Sequence, residues 1–221
     1  MDFDIFSSQN ILKTFIMMIA FLVAIIGHEI MHGYVAFRYG DDTAKKMGRL
    51  SVNPIRHIDL VGSIIVPGIL FFAQAPFLFG WAKPVPVNMN YIIQRWGYEA
   101  GIAVSLAGVA YNLILALIAS TLLFSNLIPS SGFFGAIIVA FLVKLIIYNV
   151  VLGIFNLFPI PPLDGSAALS FICLKFGIEG IPRFFNQIAP YGFIIIILIF
   201  FTPLSEIFFY PMNFLLQFLL K

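Results

Sequence analysis

Long uncharged stretches of apolar residues divide the chain into segments of the length that crosses a lipid bilayer, about 20 residues. Residues 14–27 carry no charge and lead into a polar stretch of the same helical pattern, which predicts one helix over residues 11–37. Residues 100–143 are uncharged for long enough to form two helices, separated by the turn-rich sequence SNLIPSSG at 125–132. The second of these helices is predicted to continue to about residue 158.

Three further apolar stretches are shorter or interrupted. Residues 184–205 form an uncharged run that Pro203 closes. Residues 207–220 are too short to cross comfortably and are expected either to lie in the membrane interface or to enter the membrane only halfway. Residues 60–82 are uncharged but contain prolines and a glycine, which break helices. The pattern predicts an all-α polytopic membrane protein with five to six membrane segments, built as one membrane-embedded domain over residues 1–221.

Basic residues indicate the orientation of these segments. They cluster in three stretches and comprise Arg38, Lys45, Lys46, Arg49, Arg56, Lys83, Arg95, Lys175 and Arg183. The turn at 125–132 carries no charge, so the positive-inside rule places it outside and the basic stretches in the cytoplasm. If 38–59 and 83–99 share one side, residues 60–82 cannot be a simple span. They are predicted to form a proline-broken re-entrant hairpin.

Composition agrees with a membrane environment. The chain of 221 residues is 61% hydrophobic and only 10% charged, with a mean hydropathy of +1.03, which excludes an ordinary soluble globular protein. The lipid bilayer is therefore an expected partner. A net charge of +2 is too small to indicate binding to nucleic acid. The single cysteine, Cys173, can form no internal disulfide bond.

The polar sequence HEIMH at residues 28–32 stands within the first apolar helix. Residues four apart lie on one face of a helix, so His28 and His32 present two imidazoles to one point, with Glu29 beside them. This is the HExxH arrangement of two metal ligands and a general base. A bare match of this kind occurs by chance in soluble chains. Ionisable groups at membrane depth, however, usually mark a functional site.

A catalytic zinc ion takes three protein ligands and leaves a fourth position open, so one more ligand is needed. The sequence NLFPIPPLDG at 156–165 supplies a candidate, Asp164, with the polar Asn156 ahead of it. Prolines at this density end a helix and free backbone groups, which at membrane depth requires protein or a water-filled cavity to satisfy them. Taken alone, Asp164 would be better explained as a solvated turn residue or a helix N-cap than as a metal ligand. Its pairing with HEIMH favours the ligand interpretation.

The chain at this point resembles the site-2 protease family of intramembrane zinc metalloproteases. The similarity rests on HEIMH and NLFPIPPLDG and extends over most of the chain. Two further sequences, SVNPIRHIDLVGS at 51–63 and GWAKPVPVN at 80–88, resemble the compact subgroup without PDZ or CBS domains.

The resemblance implies a function and a site. It implies that His28, His32 and Asp164 hold Zn²⁺, that Glu29 activates water, and that Asn156 helps to position or polarise the scissile peptide. The implied substrates are transmembrane segments of other membrane proteins, and the implied location is the plasma membrane of a prokaryotic cell.

One segment departs from the family pattern. Family members commonly have Ala-Gly-Pro ahead of an asparagine, whereas LAGVAYN at 106–112 has Val109 in place of the proline. Small and polar residues at spacings of three and four form a stripe here, comprising Gly97, Gly101, Ser105, Gly108 and Asn112. Such stripes let membrane helices approach closely, and packing is the favoured role, with Asn112 reaching the site as the alternative. His57 and Asp59 either steer a zinc histidine or lie at the membrane surface.

A membrane metal-ion transporter or sensor is the alternative function. It would use the same His/His/Asp site without hydrolysis. A carrier needs no general base such as Glu29 between its ligands, and it would usually show internal repeats, which the sequence lacks. The protease interpretation is therefore favoured.

Overall fold

The computed structural model describes residues 8–72, 82–125, 127–128 and 132–221, and every regular element in those ranges is helical. In chain order the α-helices are α1 (Ser8–Arg38), α2 (Thr43–Lys46), α3 (Val66–Phe72), α4 (Met89–Trp96), α5 (Tyr98–Leu123), α6 (Gly132–Leu157), α7 (Asp164–Lys175), α8 (Gly180–Ile188), α9 (Gly192–Phe200) and α10 (Ser205–Leu219). A π-helical turn, Leu60–Ile65, leads into α3, and 3₁₀ turns occupy Pro54–His57 and Ala189–Tyr191.

Among the described residues, four helical stretches are long and apolar enough to cross a membrane: Ile11–Arg38, Tyr98–Leu123, Gly132–Leu157 and Gly180–Phe200. They confirm the prediction of an all-α polytopic protein. The fourth stretch ends at Phe200, ahead of the predicted residue 205. Proline donates no backbone hydrogen bond and disfavours helical geometry in the residue before it, so the helix ends before Pro203. With 15 residues, α10 is shorter than a full crossing requires.

Helix α5 lies at the centre of the fold and packs against α1, α4, α6, α7 and α10. Most of its buried positions are small residues: Ala100, Gly101, Ser105, Ala107, Gly108, Ala116, Ala119 and Ser120. Lipid gives helices little hydrophobic drive to associate, so van der Waals packing has to hold them together. Small residues permit that packing because they let neighbouring backbones approach closely.

The residues that precede and follow the segment 60–82 lie next to each other. The backbone N–H of Lys83 donates to the carbonyl of His57 over 2.9 Å, and the Arg49 guanidinium donates to the Lys83 carbonyl over 2.6 Å. A single crossing would carry residue 83 to the opposite side of the membrane from residue 57. These contacts place the two ends of the segment side by side, as the predicted re-entrant hairpin requires, and residues 73–81 within it lie outside the described residues.

Residues 82–88 have no regular secondary structure and are termed here the extended segment. The backbone N–H of Asn88 donates to Oδ2 of the buried Asp41 over 2.6 Å, and Thr43 donates to Oδ1 through its backbone N–H and its hydroxyl. Burial raises the pKa of Asp41, but these hydrogen bonds outweigh burial and hold the pKa below its usual value. Asp41 therefore stays charged and ties the extended segment to the end of α1.

Helix α7 was not expected from the sequence, which indicated only a connection between two membrane segments. It begins at Asp164 and packs along α5, where Phe171 lies against Gly101. At its other end the Lys175 ammonium lies 2.9 Å from Glu99 Oε1, near the first turn of α5. Helix α7 thus runs back along α5 toward the basic loops. It has only 12 residues, too few to stand out as a membrane crossing.

Gly165 lets α7 begin directly against the end of α6, and this close approach generates a prediction. A Cβ at this position would lie 2.0 Å from the carbonyl oxygen of Leu157, a backbone atom with little freedom to move. Such overpacking costs about 1–3 kcal/mol or more. We expect Gly165→Ala to lower the melting temperature in detergent and to displace Asp164. Gly180→Ala is the matched control, since its Cβ would meet nothing within 4 Å. Equal melting temperatures of the two variants would contradict this packing.

The contacts between the basic loops generate a prediction about topology. In a background with Cys173→Ala, a membrane-impermeant thiol reagent added outside the cell should label Leu127→Cys, where the native leucine is 81% exposed. The same reagent should reach Lys46→Cys and Lys83→Cys only after permeabilisation, because both lie among the basic loops assigned to the cytoplasm. Labelling of Lys83→Cys but not Lys46→Cys from outside would show that residues 60–82 cross the membrane.

Candidate active site

The two histidines of HEIMH lie one helical turn apart on α1 and face the same way. Their ring centroids are 4.8 Å apart, and the two Nε2 atoms are 3.1 Å apart. His28 is buried, and the side chain of His32 is 13% exposed. The spacing of four residues therefore places both Nε2 atoms at one point inside the protein.

Asp164 reaches the same point from the other end of the chain. Helix α6 ends at Leu157, the proline-rich turn reverses the chain, and Asp164 is the first residue of α7. Its Oδ2 atom lies 3.1 Å from His28 Nε2 and 3.2 Å from His32 Nε2. This oxygen is buried and has no partner of good hydrogen-bond geometry among the described residues.

Helix α5 orients both imidazole rings from behind. The backbone carbonyl of Val104 accepts a hydrogen bond from His32 Nδ1 over 2.8 Å, and Asn112 Oδ1 lies 2.6 Å from His28 Nδ1. Both acceptors are oxygens, so the ring protons belong on the Nδ1 atoms and the Nε2 atoms of the neutral rings carry lone pairs. Gly108 lies between the two contacts, and a Cβ there would come within 2.6 Å of both rings.

These residues fit a zinc ion. Their three ligand atoms, two imidazole nitrogens and one carboxylate oxygen, are the donor types that catalytic zinc uses. Zinc–ligand bonds of about 2.0–2.2 Å at tetrahedral angles separate neighbouring ligand atoms by roughly 3.3 Å. The separations of 3.1 to 3.2 Å match this value closely. Three lone-pair atoms this close repel one another unless a cation or protons lie among them.

Glu29 lies beside the ligands on the next position of α1. Its Oε2 accepts a hydrogen bond of 2.9 Å from the backbone N–H of Val85 in the extended segment. Pro84 and Pro86 flank this residue and have no N–H, so Val85 provides the one donor of the three. The hydrogen bond fixes one carboxylate oxygen of Glu29 and leaves the other able to accept a proton.

A cavity of about 490 Å³ opens next to these groups. Its walls are mostly apolar and include Ile25, Val87, Met89, Leu152, Phe155 and Phe193. Asn156 and Ser105 also line it. The Asn156 amide donates one hydrogen to the Leu152 carbonyl over 3.0 Å, so a second amide hydrogen remains. The buried Ser105 hydroxyl has no partner within the described part of the chain.

The structure brings all five candidate residues, His28, Glu29, His32, Asn156 and Asp164, to this one cavity. It does not bring His57 and Asp59 there. The ring of His57 is hydrogen-bonded to the Ser51 carbonyl, and Asp59 caps the helical turn that follows it.

The structure adds three residues to the candidate site that the sequence did not assign to it. Val104 and Val85 act through backbone atoms, which residue type does not reveal. Asn112 reaches His28, although packing was its favoured role, and its polar amide at membrane depth was the available signal.

Comparison with known proteins identifies the family. The sequence profile of Peptidase family M50 matches residues 127–200, which include the proline-rich turn and Asp164. YwhC of Bacillus subtilis (strain 168) is 39% identical over 203 residues, covering 89% of this chain and 84% of that protein. Rip2 of Mycolicibacterium smegmatis is 32% identical over 195 residues, covering 86% of this chain and 68% of that protein. Both relatives carry the name "putative zinc metalloprotease".

No solved structure matches the chain. The His/His/Asp cluster and the apolar helices agree with the family assignment. The chain belongs to peptidase family M50, the site-2 proteases, and is an intramembrane zinc metalloprotease.

Proposed function

We propose that this protease hydrolyses peptide bonds within or beside transmembrane segments of other membrane proteins, with zinc held by His28 Nε2, His32 Nε2 and Asp164. The convergence of these three atoms within 3.1 to 3.2 Å, with Glu29 adjacent, carries the proposal. The proposed ligands come from α1 and α7, and both of these helices pack against α5. The whole chain, residues 1–221, is proposed to act as one membrane-embedded domain.

The character of the cavity supports an apolar substrate. Three of the helices around it, α1, α5 and α6, are apolar enough to cross the membrane. Phe155, Leu152 and Ile25 line the cavity together with the polar groups, so they could contact the apolar side chains of such a substrate. A helical substrate uses its carbonyls in its own hydrogen bonds, so cleavage requires local unwinding.

Glu29 is proposed to be the general base. Zinc, when bound at the site, would act as a Lewis acid that polarises the scissile carbonyl and makes bound water more acidic. Glu29 accepts the proton of the attacking water and can later pass it to the leaving amine. The Val85 N–H holds the carboxylate in place during both steps.

Asn156 is proposed to bind the substrate peptide. Its remaining amide hydrogen can reach a carbonyl oxygen in the cavity, where it would stabilise negative charge that develops on that oxygen. The Ser105 hydroxyl, which has no hydrogen-bond partner in the described ranges, offers a further hydrogen bond to an unwound substrate backbone. Unwound segments need such partners because lipid supplies none.

The plasma membrane of a bacterial cell is the proposed location. Both named relatives are bacterial, the described part of the chain has four helices apolar enough to cross a membrane, and hydrogen bonds join the basic stretches around Arg49 and Lys83. A metal transporter or sensor is not favoured, since Glu29 lies at the ligands and the family is that of a protease.

The roles of Glu29 and Asp164 are separable by substitution. Glu29→Gln keeps the size of the side chain and an oxygen for the Val85 N–H but removes the base, so we expect about one zinc per chain and no cleavage. Asp164→Asn removes the charged ligand and should lower zinc content as well as activity. Metal analysis of purified protein, with cleavage of tagged single-pass membrane proteins on co-expression, gives both readouts. Full zinc content in Asp164→Asn together with native cleavage in Glu29→Gln would refute these assignments.

Asn156 has its own expected signature. Asn156→Ala should keep zinc and slow cleavage on the order of 10²-fold, as the loss of one oxyanion donor does in other enzymes. Val151→Ala on the same helix is the control, because Val151 is 36% exposed and lies outside the cavity lining. A cleavage rate equal to that of the control would exclude Asn156 from the reaction.

A further inference from the structure

Asn112 is the most completely engaged polar side chain near the site. It is 0% exposed at the centre of α5, and its amide makes three contacts. Oδ1 lies 2.6 Å from His28 Nδ1, while Nδ2 donates to the Ala24 carbonyl over 3.1 Å and to Asn149 Oδ1 over 2.8 Å. Asn149 is also 0% exposed, and its own Nδ2 donates to the Leu145 carbonyl over 2.8 Å.

The surrounding groups permit only one orientation of each amide. A carbonyl oxygen cannot donate, so the Asn149 atom that faces Leu145 must be nitrogen and its other atom must be oxygen. That oxygen and the Ala24 carbonyl are both acceptors, so the Asn112 atom between them must also be nitrogen. The remaining Asn112 atom is then the oxygen that faces His28.

We propose that Asn112 is a positioning residue that keeps the proton of His28 on Nδ1, and that Asn149 holds Asn112 in the orientation this requires. The proposal rests on the assignment of His28 Nε2 as a zinc ligand. A neutral imidazole carries one proton, so a proton on Nδ1 leaves the Nε2 lone pair free for the metal.

The alternative orientation shows what Asn149 contributes. A flipped Asn112 amide would present N–H groups to His28 Nδ1 and would favour the form of the ring that carries its proton on Nε2. A protonated Nε2 has no lone pair with which to bind zinc. It would also place an oxygen against the Ala24 carbonyl and Asn149 Oδ1, leaving buried acceptors without donors. Unsatisfied buried groups cost about 1–3 kcal/mol each, so the network excludes this orientation.

His32 provides an internal comparison. Its Nδ1 donates to the backbone carbonyl of Val104, which cannot flip and which no side-chain substitution removes. Of the two histidines, only His28 depends on a side chain for the position of its proton. Substitution of Asn112 should therefore affect one zinc ligand and leave the other unchanged.

Zinc affinity tests the proposal. Groups that orient metal-binding histidines typically contribute about 10- to 100-fold to affinity, so we expect that loss in Asn112→Leu, measured by competition with a chelator. Asn112→Asp keeps an oxygen toward Nδ1 but loses both donated hydrogen bonds. It should recover most of the zinc affinity while remaining less stable than the native protein. An Asp variant that binds zinc as weakly as the Leu variant would indicate a merely structural role and overturn the proposal.

Ser120→Ala is the matched control. Ser120 is a buried polar residue on the same helix, and its hydroxyl donates to the Leu219 carbonyl over 2.7 Å, far from the ligands. The variant should lower thermal stability without changing zinc affinity. A loss of zinc affinity comparable to that of Asn112→Leu would mean that general destabilisation explains the effect.

Nitrogen NMR of ¹⁵N-histidine-labelled, zinc-loaded protein reads the proton position directly. The chain has three histidines. His28 and His32 should carry the proton on Nδ1, whereas His57, whose Nε2 donates to the Ser51 carbonyl over 2.7 Å, should carry it on Nε2. In Asn112→Leu the Nδ1 proton of His28 should exchange faster while that of His32 is unchanged. A native His28 protonated on Nε2 would refute the proposal.

A double-mutant cycle tests the part of Asn149. Asn149→Leu should weaken zinc binding in the otherwise native protein. It should cause no further loss of zinc affinity in the Asn112→Leu variant, because Asn149 acts through Asn112. Additive losses of zinc affinity would show that the two asparagines act independently and would overturn the proposed role of Asn149.

None of these measurements uses peptide cleavage. If the native protein bound zinc with this dependence on Asn112 but cleaved no membrane protein, the proposed function would fail and this inference would stand. If the native protein held no zinc at His28, the inference would fail together with the ligand assignment.

Discussion

The convergence of three lone-pair atoms in an apolar interior is the constraint on which the rest of the structure depends. His28 Nε2, His32 Nε2 and Asp164 Oδ2 lie 3.1 to 3.2 Å apart, where they repel one another without a cation. Polar groups buried away from water must find partners within the protein. The protons on the far side of each ring therefore require acceptors, and α5 provides both of them.

That requirement determines how closely the helices pack. For α5 to reach the Nδ1 atoms its backbone must lie directly behind the imidazole rings, and only glycine at 108 leaves room for them. Asp164 must reach the same point from the end of α6, which brings α7 against the Leu157 carbonyl and requires glycine at 165. The small residues of α5 thus serve the geometry of the metal site as well as helix association.

Features that depend on local sequence could be predicted. The spacing of His28 and His32, the polar Asp164 beside the prolines and the long apolar runs are all local features. The structure places both histidines on α1, Asp164 at the start of α7 directly after the proline-rich turn, and four long apolar helices within the described residues. Helix α7 was missed because its 12 residues resemble a connection as much as a helix. The contribution of Val85 was missed because a backbone N–H gives no signal in residue type.

The sequence by itself determined that the protein lies in a lipid bilayer, which family it resembles and which chemical types the candidate ligands have. All three follow from composition and from short spacings between residues. Only the tertiary structure places the Nε2 atoms of both histidines beside Asp164, because Asn112 and the Val104 carbonyl on α5 contact the opposite ring nitrogens, and Asn112 lies 84 positions from His28. It also decided that Val85 restrains Glu29 across 56 positions. No local pattern encodes contacts of this kind, because the packing of α1 against α5 and the contacts that hold the extended segment beside α1 set the distances.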